Sequence, residues 1–257
     1  MFRNDYNILK EMNIQTDAII INQCDRNRIE PIVYNNQNIL WIDSTTRGIG
    51  KSRNLGILYS TGDIIQFADD DVVFKDGYQE IVLQRFQNID DSSLLVFNFQ
   101  SLNPLRPEYI DQREKKLNVL NCLKYGAFRI AVKRETLLKK NIWFSLLFGG
   151  GAQYQAGEDN LFITTCIQRG MKCVACDEMI GTVKQQESTW FKGYNEKYYY
   201  DRGALFKAMY GKKAIIYLGL ITMKELLNKK SNLPVAVKFR NEIKGANDYR
   251  LNHWLAE

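Results

Sequence analysis

The segment Asp63-Ile-Ile-Gln-Phe-Ala68 runs without a break into Asp69-Asp70-Asp71, and this junction restricts the fold more than any other feature of the chain. A short apolar run rich in β-branched residues reads as a buried strand. Three carboxylates packed at one strand end repel one another and raise one another's pKa unless something positive joins them. In an extended segment Asp69 and Asp71 point one way and Asp70 the other. In open α/β sheets ligands bind outside the carboxyl ends of strands, so the cluster stands where such a fold would use it.

The rest of the chain alternates in the same style. Further strands are expected at Asp17-Ala-Ile-Ile-Ile-Asn22, Ile39-Leu-Trp-Ile42, Leu94-Leu-Val-Phe-Asn98, Phe128-Arg-Ile-Ala-Val132 and Lys172–Cys176. Helical spacing runs from Arg47 to Tyr59, from Gly77 to Gln87, and from Asp159 to Arg169, where Phe162/Cys166 and Ile163/Ile167 are i,i+4 pairs. This alternation predicts an α/β fold: a mostly parallel central sheet flanked by helices, Rossmann-like, with a helical C-terminal region. Four prolines and no low-complexity linker give no reason to split the chain. We expect residues 1–190 to form the catalytic domain and 191–257 a helical, tyrosine-rich extension of it.

The net charge of +6 comes from 35 Lys+Arg against 29 Asp+Glu, without the dense basic stripe of a nucleic-acid-binding protein. No nucleic acid partner is expected. The lysines at 212, 213, 229 and 230 flank the most hydrophobic stretch, Ala214–Met223, which is too short to cross a bilayer. It reads as a core helix, with a surface-docking helix as the alternative. Five irregularly spaced cysteines and no signal peptide fit a reducing cytosol. Cys173-Val-Ala-Cys176 lies in a strand, where residues three apart face opposite sides, so it is read as two buried thiols.

Hard carboxylate oxygens at Asp69 and Asp71 suit Mg²⁺ or Mn²⁺, ions that commonly share one or two carboxylates with substrate phosphates. An acidic turn capping the next helix is the competing explanation. Gly157-Glu158-Asp159 opens a helix, where acidic residues are favoured by the dipole alone. The apolar, glycine-rich loop Phe148-Gly149-Gly150-Gly151-Ala152 stands just ahead of it, able to fold over a substrate, and a carboxylate there can act as general base. Gly48-Ile-Gly-Lys-Ser-Arg-Asn-Leu-Gly56 does not match the phosphate loop of ATPases. Arg53 within it can face a diphosphate or an acidic neighbour.

Taken in order, the Gly48…Arg53-Asn54-x-Gly56 segment, Gly62-Asp63, the strand into Asp69-Asp70-Asp71, and Gly157-Glu158-Asp159 resemble family 2 glycosyltransferases of the GT-A fold. The likeness spans about two-thirds of the chain and is nearest to bacterial enzymes that build capsule, exopolysaccharide or lipopolysaccharide. It implies that Asp69 and Asp71 bind a divalent metal and the nucleotide-sugar, with Asp71 at the metal-ligand position and Asp70 beside the donor. It implies that Asp159 is the catalytic base, with Glu158 as understudy, and that Arg53 lies near the donor nucleotide. The reaction would be one inverting displacement. Its partners would be a nucleotide-sugar, foremost a UDP-sugar, and a saccharide or glycolipid acceptor, met in the cytoplasm with peripheral contact on the inner face of the membrane.

The chain departs from that family at two places. No apolar first strand precedes the helix-like Tyr6–Met12, and Asn22-Gln-Cys-Asp25 replaces the usual acidic pair after the next strand. Asn22, Gln23 and Asp25 are candidates to hold the nucleotide base. The family's late histidine is replaced by Lys184-Gln-Gln-Glu-Ser-Thr-Trp190, and the only histidine is His253. Gly150, Gly151 and Trp190 are candidate acceptor contacts. A non-catalytic partner subunit and a sugar-nucleotide pyrophosphorylase are the rival readings; the latter lacks its glycine-rich signature after the first strand.

Overall fold

The computed structural model describes residues 3–185, 193–226 and 233–254. A short helix α1 (Ile8–Glu11) leads into β1 (Ala18–Gln23), β2 (Arg28–Tyr34) and β3 (Gln37–Ser44). These three form one sheet in the order β1-β3-β2, with β1 parallel and β2 antiparallel to β3. The hairpin β2–β3 turns on Asn35 and Asn36, both at positive φ (49° and 65°), the conformation that a two-residue hairpin loop requires. The sequence pattern missed β2 because Pro31 interrupts it. Pro31 is tolerated because β2 lies at the sheet's edge.

Helix α2 (Ile49–Tyr59) then carries the chain to β4 (Ile64–Gln66). After it come β5 (Val72–Phe74), α3 (Tyr78–Asn88), β6 (Ser92–Ser101), β7 (Lys115–Lys116), β8 (Ile130–Lys133), α4 (Arg134–Lys139), α5 (Glu158–Gln168) and β9 (Lys172–Val183). The second sheet runs β4-β8-β6-β9-β5, with β7 also paired to β9. The α/β architecture is the expected one, whereas both sheets are mixed: β1–β3 is the parallel pair of the first and β6–β9 that of the second. The other pairs are antiparallel. The reason is local. Parallel neighbours need a crossover, usually helical. The stretch from β6 to β8 holds only β7 and a 3₁₀ turn at Ala127–Arg129, and β8 enters antiparallel to β6.

Strand alternation sorts the core. Leu95, Phe97, Phe99, Val174 and Cys176 pack on one side with α1 and α3. Leu94, Val96, Cys173 and Ala175 pack on the other with Phe144 and Phe162. Cys173 and Cys176 therefore lie in separate clusters, and all five cysteines are free and buried.

The C-terminal region holds α6 (Glu196–Tyr210), α7 (Ala214–Leu226) and α8 (Val235–Trp254). Asn195 caps α6 by accepting from the Tyr198 amide at 3.0 Å. Helices α6 and α8 touch backbone to backbone. A Cβ on Gly203 would lie 2.0 Å from the Glu242 carbonyl oxygen, and one on Gly245 1.9 Å from that of Tyr200. Helix α7 is not the core helix expected. It buries Ala214, Leu218 and Thr222 but exposes Ile215, Ile216, Leu220 and Met223, because α6 and α8 cover one side of it. Among the described residues, no helix is long and apolar enough to cross a membrane.

Candidate active site

Helix α2 organises the site. Gly48 caps it at φ 116°, and on its first turns Ser52 and Arg53 point to different groups. The Arg53 guanidinium donates to Asp69 at 2.9 Å through one nitrogen and to Glu158 at 2.7 Å through the other. Its plane also lies over the Phe144 ring, 5.2 Å from the centroid. Burial works against its charge, but the carboxylates of Asp69 and Glu158 hold its proton more tightly than usual. One cation thus joins the acidic cluster to the start of α5, which lies 105 positions beyond Arg53 in sequence.

Asp69 and Asp71 are half-buried while Asp70 is exposed; the three lie not in the extended segment expected but in a turn after β4, closed by the Val72 amide donating to the Asp69 carbonyl at 3.2 Å. Burial, then the neighbouring charges of Asp69 and Asp70, push the Asp71 carboxyl above its ordinary range. Asp71 accepts from the Gln185 amide at 3.1 Å, and its own carbonyl accepts from the Lys184 amide. The end of β9 is thereby fastened to the acidic cluster.

Gly157 precedes α5 at φ 99°, packed so closely on Leu205 that a Cβ would meet it at 2.3 Å. Glu158 is buried. The loop that precedes it closes against it: a Cβ on Gly149 would come within 2.8 Å of a Glu158 carboxylate oxygen. Asp159 accepts from the Asn160 amide and side chain at 2.7 and 2.8 Å. Burial and the charge of Glu158, only partly offset by Arg53, push Asp159 up to about 7. A carboxylate that gives up its proton near neutrality is matched to general-base work.

The other expected residues are distributed as follows. Gln23 donates to the Gly48 carbonyl at 3.3 Å and to Ser52, so it braces the start of α2. Asn22 is buried, exchanges hydrogen bonds with the Arg3 backbone and donates to Asp43 at 2.7 Å. Despite its burial, Asp43 is held well below the usual carboxylate range by Arg26, Asn22, Trp41 and Arg28. Asn22 and Gln23 are thus engaged within the protein. Asp25 is exposed in the turn beyond them. The Gly150 carbonyl accepts from Ile49 at 3.1 Å. Gly151 adopts φ 82° and lines, with Arg47, Gly48, Lys51 and Phe148, a cavity of about 210 Å³. Trp190, with Gln186 and Glu187, lies outside the described residues.

One group escaped sequence reasoning. Glu108 takes a hydrogen bond from the Gln185 side chain and sits 3.6 Å from Arg129. Burial, opposed by Arg129, holds its proton more tightly than usual, and Asp71 adds to that. Arg129 is fully buried and donates to the Phe97 and Tyr109 carbonyls and to Asn98. The signal was an arginine inside the apolar segment 127–132, which needs carboxylates close by.

Asp69 and Asp71 offer hard oxygens with surplus negative charge, a donor set suited to Mg²⁺ or Mn²⁺ once diphosphate oxygens join it. Among the described residues, no three carboxylate, thiol or imidazole groups converge into a complete protein cage. The fit is therefore to an ion shared with a ligand.

Comparison with known proteins agrees with this geometry. None of the curated proteins is detectably similar to the chain in sequence. Among solved structures, S. aureus TarS 1–349 in complex with UDP-GlcNAc superimposes with a TM-score of 0.60 at 12% identity, covering 96% of this chain and 86% of that one. The mannosyltransferase PcManGT from Pyrobaculum calidifontis, in complex with GDP-Man and Mn²⁺, gives 0.51 at 9% identity, covering 100% and 74%. At these identities the likeness is one of fold. The model of glycosyl transferase family 2 matches residues 8–144, more than half the chain, and takes in the Arg53 helix and the aspartate cluster. The chain belongs to glycosyl transferase family 2.

Proposed function

We propose that the protein is an inverting glycosyltransferase that moves a sugar from a nucleoside-diphosphate donor, a UDP-sugar, to a saccharide or lipid-linked acceptor in bacterial surface-polysaccharide synthesis. In this reading residues 1–190 carry the donor and acceptor sites and 191–257 extend the same domain. The observation that carries it is the bridge Asp69–Arg53–Glu158, which gathers the acidic strand end and the Glu-Asp helix around one guanidinium. The structural neighbours bound to UDP-GlcNAc and to GDP-Man with Mn²⁺ support a nucleotide-sugar donor.

Each residue then has a physical task. Asp71, with Asp69, would hold a divalent ion, Mn²⁺ or Mg²⁺, which when bound supplies positive charge opposite the diphosphate. Arg53, in contact with Asp69, would turn one N–H toward a phosphate oxygen. Asp70, exposed beside them, would contact the donor. Asp159 takes the proton from the acceptor hydroxyl as that oxygen attacks the anomeric carbon and the diphosphate leaves. Glu158, held by Arg53, keeps the Asp159 proton affinity high. The Phe148–Ala152 loop, with Gly150 and Gly151, closes over the acceptor side and limits water there.

The test is calorimetric titration with UDP, with and without Mn²⁺, followed by a screen of UDP-sugars for turnover. Binding that requires Mn²⁺ and is lost in Asp71→Ala supports the reading. Equal UDP affinity in both proteins, or binding without turnover of any nucleotide-sugar, goes against it and favours a non-catalytic subunit.

A further inference from the structure

Helix α7 presents to solvent the side that a core helix would hide. Ile215, Ile216, Leu220 and Met223 are between 52% and 67% exposed. Ile216, Leu220 and Met223 follow i, i+4, i+7 spacing and so form one stripe along the helix. The opposite side, Ala214 and Leu218, is seated on Phe206, Tyr210 and Phe239. The orientation is thus set by packing, and the apolar stripe is what the packing leaves outward. A contiguous apolar stripe on a surface marks an interaction site more often than an isolated exposed leucine does.

The charges beside the stripe say what it meets. Lys212 and Lys213 form the exposed 3₁₀ turn that leads into α7. No acidic residue occurs from Gly211 to Met223, and the whole chain is +6. A single helix face of this kind falls short of the about 800 Å² per partner that a stable protein interface buries. A lipid surface needs no matching shape. It takes apolar side chains at the acyl boundary and lysines among anionic headgroups, which is how interfacial helices are built. The thirteen residues of α7 are about 20 Å long, so the helix lies along a bilayer rather than across it.

We propose that α7 is a docking face for an anionic membrane surface, with Ile216, Leu220 and Met223 entering the interface and Lys212 and Lys213 pairing with headgroups. The proposal deepens the transferase reading by saying where a lipid-linked acceptor is met, and rests on that reading only for the acceptor. Vesicle binding is measured without turnover, and UDP binding without vesicles, so either can fail alone.

The experiment is co-sedimentation of the full chain with vesicles of phosphatidylcholine alone and of phosphatidylcholine with phosphatidylglycerol. The expected result is binding to the anionic vesicles only. It weakens at least about tenfold in I216E/L220E and in K212A/K213A. Added salt weakens it as well. Both variants change exposed positions, and an unchanged melting temperature reports that they remain folded. No binding to anionic vesicles, or binding that I216E/L220E leaves intact, overturns the proposal. Light scattering that shows a dimer abolished by I216E/L220E would give the face to a second copy instead, which also overturns it.

Discussion

At the scale of single residues, Arg53 and Asp159 carry the sharpest consequences. Arg53→Met leaves Glu158 buried beside Gly149 and removes the cation from Asp69. Breaking a buried pair by removing one partner costs ~3–5 kcal/mol, and the openness of Asp69 to water lowers this to about 2–3 kcal/mol here. Urea unfolding checks it, and an unchanged midpoint would refute the bridge. Asp71→Ala should abolish Mn²⁺-dependent UDP binding and turnover. Asp159→Asn should leave UDP affinity nearly intact while turnover falls about 10²-fold or more, as for a lost general base. If both fall together, Asp159 is structural. The Asp159 proton also sets pH behaviour. Its folded pKa, about 7, is above the ordinary 3.8. It therefore contributes stability that is full below about pH 4 and is lost as pH rises through about 7. The same deprotonation switches the base on, so turnover should rise through neutral pH with a limb that Asp159→Asn removes.

At the scale of elements, the strands and helices that carry the site were readable because hydrophobic period and site chemistry coincide there. Residues 64–68 are largely apolar and run into the aspartates; α5 opens with acids and is followed by Gly170. What was not readable depends on tertiary partners. β5 follows the aspartates too closely to look like a strand, and exists because Val72–Phe74 pairs with the far end of β9. Glu108 lies in a long irregular stretch and gains meaning only through Arg129 and Gln185. The outward face of α7 could not be told from a core helix, since its residues are apolar nearly all round. The α6–α8 contact gives a test of its own. Gly203→Ala places a methyl against the Glu242 backbone, where neither side can yield cheaply. Overpacking of this kind costs about 1–3 kcal/mol, and the melting temperature should fall by several degrees. A neutral result would mean that the two helices are less tightly apposed.

At the scale of the whole molecule, β1 and β4 each keep one edge without a strand partner among the described residues, so two sheets rather than one carry the core. A ligand touching α2, the β4 end and α5 would tie the two parts together. UDP with Mn²⁺ at about a hundredfold over its Kd should stabilise the chain by ~2.7 kcal/mol, and raise the melting temperature by about 5–10 °C. UDP with a chelator should give no shift; a shift of equal size would remove the metal from the reading. The Arg53 bridge also bears on how the protein can be handled. A fold whose carboxylates needed an ion to live together would crumple in chelator. Here a side chain already sits among them as a permanent counterion, so stripping the metal should silence the protein without loosening it. Chelator-washed material should melt where untreated material does, keep on the shelf, and recover its nucleotide binding when Mn²⁺ is added back.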